Sequence, residues 1–144
     1  MYSSDLQAYG VFKPVGHIVV SFPNAALAEQ GYSALQDMGI APEDIRPYTD
    51  REMLEQAEAD IERATPLASL GVELTKIKAH RELAQRGYHW LVVHIANDAQ
   101  ARKAADTLQA VGAQSAQLYG RFIIEELITY GKQPQQSPGG PLEI

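Results

Sequence analysis

The chain has 144 residues, 45% of them hydrophobic and 21% charged, with no cysteine and a formal net charge of -6 at pH 7. That composition fits a single globular domain and excludes disulfides, thiolate nucleophiles and Cys-ligated metals. The acidic balance argues against a general affinity for nucleic acid, no apolar run approaches the roughly 18 to 20 residues of a membrane span, and no basic and apolar leader opens the chain, so a cytoplasmic location without membrane or nucleic-acid partners is expected.

Residues 1–15 carry no clear period and are expected to form an N-terminal arm before a single domain over residues 16–130. The stretch HIVVSFPNAALAEQGYSALQDMGI (17–40) opens with an apolar β-branched run, continues through Asn24 into helical periodicity, and ends at Gly39. That pattern reads as strand, N-cap, helix and C-cap, with Ala28, Tyr32, Leu35 and Met38 on one helix face. Ile45 to Tyr48 follows as a short strand, and Pro47, which cannot donate to a ladder, predicts a sheet edge. Thr49 with Glu52 three residues on forms a capping box for a helix whose stripe is Met53, Leu54, Ala57, Ile61 and Ala64. A second helix is expected to begin at Thr65 as N-cap with Pro66 at its first position, to carry Leu67, Leu70, Leu74, Ile77 and Ala84, to kink at Gly71 and to end at Gly87. These two helices make an insertion at about residues 50–86.

WLVVHIANDAQARKAADTLQAVGA (90–113) then repeats the first unit. Laid on 17–40 without a gap, it matches at Val19 and Val92, Val20 and Val93, Asn24 and Asn97, Leu35 and Leu108, and Gly39 and Gly112. The matches fall at caps and core positions, so the repeat encodes packing rather than chemistry. A fourth strand is expected near Ala116 to Tyr119; Phe122 to Ile128 fits either a continuing strand or a helix, with a strand followed by a short helix preferred. Residues 131–144, rich in Pro, Gly and Gln, are expected to be a disordered tail.

The order is that of an α+β ferredoxin-like sandwich: β-α-β, two inserted helices, β-α-β, with a four-stranded, mainly antiparallel sheet whose first and third strands are central neighbours. On HIVVSF, GYHWLVVHIANDAQARKAADTLQAVGA and AQLYGRFIIEEL the chain resembles the small heat-induced or general stress protein domains of bacteria, over roughly residues 16–128. The resemblance implies a stress-associated cytoplasmic protein and carries no catalytic set with it.

Strand alternation puts Ile18, Val20, Phe22, Leu91, Val93 and Ile95 on one uniformly apolar face. The other face is mixed: His17, Val19 and Ser21 beside Trp90, Val92 and His94. Either the inserted helices of this chain or a partner cover it, or it binds a ligand through His17, Ser21, Trp90 and His94. A metal on His17 and His94 requires a third donor such as His89, a glutamate or water, and no spacing supplies a triad. No cofactor is expected. Glu55, Glu58 and Glu62 read as a solvated helix edge, Tyr88 and Trp90 as weak RNA-stacking candidates without the accompanying signature, and Ser21 with His94 lacks the strained elbow of a hydrolase nucleophile. Arg121 and Glu125 fit a sheet edge or oligomer contact better than a functional loop. The expectation is a non-enzymatic module that self-associates as a dimer or higher form through the mixed face and the inserted helices, with small-molecule or metal sensing on that face as the alternative.

Overall fold

The order along the chain is β1 (Gln7–Ala8), β2 (Val11–Phe12), β3 (His17–Phe22), α1 (Ala25–Asp37), β4 (Ile45–Tyr48), α2 (Asp50–Leu67), α3 (Leu74–Gln85), β5 (His89–His94), α4 (Asp98–Val111), β6 (Ser115–Tyr119) and β7 (Ile124–Ile128). The structure, a computed structural model, describes residues 7–8, 11–12, 14–67, 74–121 and 123–129. Among these the protein is α+β, with four α-helices and a five-stranded antiparallel sheet ordered β4-β5-β3-β6-β7. Within the segment expected as an arm, β1 and β2 pair antiparallel, and β2 lies against α2. The expected tail lies outside the described residues.

The two repeated units fold alike because their ends are chemically alike. Asn24 Oδ1 accepts from Leu27 N at 2.9 Å and Asn97 Oδ1 from Gln100 N at 2.8 Å, so each side chain satisfies an orphan helix donor. At the far ends Gly39 (φ 97°) and Gly112 (φ 125°) take the left-handed conformation that other residues resist. The next residue then turns back onto the helix, Ile40 N to Leu35 O at 3.0 Å and Ala113 N to Leu108 O at 2.9 Å. The capping box at α2 closes in both directions, with Thr49 N donating to Glu52 Oε1 at 2.8 Å and Glu52 N to Thr49 Oγ1 at 3.1 Å.

Two expectations are corrected. Thr65 and Pro66 do not start a helix: α2 runs through both to Leu67. A proline in the last turn removes one backbone hydrogen bond and leaves the turns before it intact. The expected kink at Gly71 lies outside the described residues. Of the two readings of the segment after β6, strand rather than helix holds over Ile124–Ile128, which is β7; it pairs antiparallel with β6 and gives the sheet five strands rather than the expected four. A register shift between Ala116 and Gln117 leaves Leu127 without a direct counterpart, and this bulge breaks the alternation that marks a strand.

Helices cover both sheet faces. α1 and α4 pack on Ile18, Val20, Phe22, Leu91 and Val93, with Leu35 and Leu108 wholly buried between. Each such leucine contributes about 1.5–3 kcal/mol through removal from water. On the opposite face Met53 of α2 and Leu83 and Ala84 of α3 cover Val19, Trp90 and Val92. Ala57 and Ile77 join α2 to α3.

Candidate functional site

The register of β3 on β5 pairs His17 with His94 and Ser21 with Trp90. The four predicted site residues therefore fall into two groups about 13 Å apart along the strands. At one end the His17 and His94 rings meet edge to face at 5.2 Å. His17 Nδ1 is 3.0 Å from Val15 O, and His94 Nδ1 is 3.6 Å from Asp44 Oδ1. At the other end Ser21 is wholly buried and shares a hydrogen bond with Ser115, while Trp90 is packed beneath α3. Ser21 and His94 do not meet. Nor does His89 join the histidines: it pairs with Phe22 at the opposite end of β5, on the α1 side, with Nδ1 3.1 Å from Gly87 O. Among the described residues, no group of three or more His, Cys, Asp or Glu is arranged to hold a metal ion.

The remaining candidates are also accounted for by packing or solvent. Tyr88 and Trp90 are both buried, so neither offers a ring for stacking. Glu55, Glu58 and Glu62 are exposed along α2. Arg121 is exposed, whereas Glu125 accepts from Arg102 of α4 at 2.6 Å. Of the apolar stripes of α2 and α3, read as surplus for an interface, Met53, Leu54 and Ala84 pack on this chain's own sheet and Ala57, Ile61, Leu74 and Ile77 on one another.

The mixed face nonetheless stays open at one place. A cleft of about 400 Å³ lies between α3 and the β6-β7 ladder. Helical spacing brings Lys76, His80 and Leu83 of α3 to its side, with Ala79 also on its wall and Arg86 beyond the helix end. Strand alternation supplies Ser115 and Gln117 from β6, and the ladder sets Glu126 of β7 opposite Gln117.

These groups form a connected chain. Gln117 Nε2 donates to Glu126 Oε1 at 3.3 Å, and Glu126 Oε2 pairs with Lys76 Nζ. With its amide nitrogen committed, Gln117 presents Oε1 to His80 Nε2 at 3.4 Å, which assigns the ring proton to Nε2. The His80 ring also meets Trp90 edge to face at 5.8 Å. Burial pushes the His80 pKa down to about 4; the Gln117 hydrogen bond and the Glu126 charge oppose this, and Lys76 adds to it. The imidazole is therefore neutral near pH 7, a hydrogen-bonding group rather than a charge. A neutral histidine, an amide, a serine hydroxyl and a salt-bridged carboxylate are suited to recognising a small polar molecule.

Sequence reading passed over His80, Gln117 and Glu126. One signal was present: His80 falls three residues after Ile77 and four before Ala84, a polar residue inside an apolar stripe. The β6-β7 pairing, which brings Gln117 and Glu126 to it, leaves no mark in the spacing. In comparisons with known protein families, curated proteins and solved structures, nothing matches this chain.

Proposed function

We propose that the protein is a non-enzymatic binding domain for a small polar molecule, held in the cleft between α3 and the β6-β7 ladder. The observation that carries this reading is the hydrogen-bonded chain His80–Gln117–Glu126–Lys76 along a cleft of about 400 Å³. Two buried polar groups, His80 and Gln117, held in fixed orientation beside a concavity of this size, with the Lys76–Glu126 pair at its side, are what orients a ligand. This takes up the alternative in the sequence reading, small-molecule sensing on the mixed face, with these residues in place of His17, Ser21, Trp90 and His94.

The strand order β4-β5-β3-β6 supports a ferredoxin-like arrangement of the two β-α-β units, with β7 added at one edge. It also keeps the likeness to bacterial stress protein domains within this reading. A second reading, self-association, is favoured by the edge position of β7 and by Ile123 beside it, 73% exposed.

The test uses Trp90, the single tryptophan, whose ring touches His80. A panel of small metabolites is titrated while Trp90 emission and Tm are followed. At least one compound is expected to shift the emission and, near saturation, raise Tm by several degrees. Ala79→Phe, an exposed position on the cleft wall, is expected to abolish both effects while the protein stays folded. Silence across the panel, or a response that survives Ala79→Phe, removes the cleft as a binding site.

A further inference from the structure

Resting on that reading of the cleft, we infer that its ligand is a small zwitterion with an apolar side chain, of the α-amino-acid type. The charged groups around the cleft balance: Lys76 and Arg86 against Glu82 and Glu126. A lining with no net charge gives no overall attraction to a polyphosphate or a bare divalent cation. It does offer both signs close together.

Lys76 and Glu126 reach across the cleft from α3 and β7, with side chains 26% and 33% exposed. Each charge is thus partly shielded from water and held by the other. A ligand carrying one charge would displace one partner and leave the other without its counter-charge in the cleft. A zwitterion inserts as a pair, its carboxylate on Lys76 and its ammonium on Glu126, so neither charge is stranded. Gln117 holds Glu126 in place by its amide donor at 3.3 Å. Ala79 and Leu83 supply the apolar wall on which a hydrocarbon side chain packs.

The experiment compares valine, leucine, methionine and phenylalanine with their decarboxylated amines and their deaminated acids, by calorimetric titration of the full chain with Trp90 emission in parallel. At least one amino acid is expected to bind about tenfold or more tightly than both its amine and its acid, the loss that follows from stranding one charged hydrogen-bonding partner. Lys76→Gln should bring that amino acid down to the affinity of its amine, and Glu126→Gln to that of its acid. Equal binding of an amine or an acid overturns the assignment. So does binding of a sugar or simple anion from the metabolite panel when all four amino acids fail, an outcome that leaves the binding-domain reading standing. Silence toward both sets removes the two together.

Discussion

His80 couples the site to stability because the fold keeps it from taking a proton. In the folded protein it titrates at about 4, whereas in the unfolded chain it titrates near 6.5. Between those values the unfolded chain binds more protons, so stability is fully present above about pH 6.5 and falls as the pH drops towards 4. A shift of this size corresponds to a loss on the order of 3 kcal/mol across that window. The groups that face the ring are Lys76 on its own helix, Gln117 and Glu126 on the sheet, and Trp90 on β5. Because carboxylates titrate over the same range, the wild type is compared with His80→Gln, whose side chain keeps a donor for Gln117 and does not titrate. Urea unfolding followed through Trp90 should show the wild type losing stability faster than the variant as pH falls from neutral into that window. Identical slopes would mean that water reaches the imidazole. The site was legible in the sequence only to this extent, a polar residue on a buried stripe. His17, Ser21, Trp90 and His94 share the mixed face as alternation dictates, but register sends them to opposite ends of it.

Helix α1 carries a glycine at its centre, where propensity alone favours alanine by up to about 1 kcal/mol. A Cβ on Gly31 would stand 2.7 Å from Phe22 Cζ and 3.2 Å from Leu108 Cδ2, so the residue marks where α1 presses on the sheet and on α4. The matching position in the repeat is Ala104, also fully buried. Overpacking of this kind costs about 1–3 kcal/mol, which outweighs the propensity gain. Gly31→Ala is therefore expected to lower stability by about 1 kcal/mol in thermal or urea unfolding, and a raised Tm would mean that α1 can slide outward. Elements whose ends are set by local chemistry were readable: Asn24, Asn97 and the Thr49–Glu52 box each make the predicted hydrogen bonds. Two elements were not. Thr65–Pro66 carries the signal of a helix start but is tolerated in the last turn of α2, and the bulge on β7 hides the alternation of Ile124–Ile128. For β7 the deciding interaction is its pairing with β6, which leaves no mark in residue spacing.

Viewed as a whole, the sheet is covered by helices on both faces apart from the cleft, and ends in two unlike edges. β4 is four residues long and contains Pro47, which has no N–H to offer a further strand. β7 is five residues long, without proline, and begins beside the exposed Ile123. Its two glutamates resemble gatekeeper charges, yet each is matched from a different layer: Glu125 by Arg102 of α4, and Glu126 by Lys76 of α3. The Glu125 pair is about half exposed and adds little stability of its own. Its effect is to leave the β7 edge with less unbalanced charge than the sequence suggests, so this is the edge on which a second copy would add. Light scattering at micromolar concentration is accordingly expected to give a dimer mass. Ile123→Lys sets a charge beside that edge without touching the core, and should return a monomer at nearly unchanged Tm. A wild-type monomer would remove self-association and leave the cleft as the sole functional surface proposed for this fold, whereas a dimer that survives Ile123→Lys would move the contact away from β7.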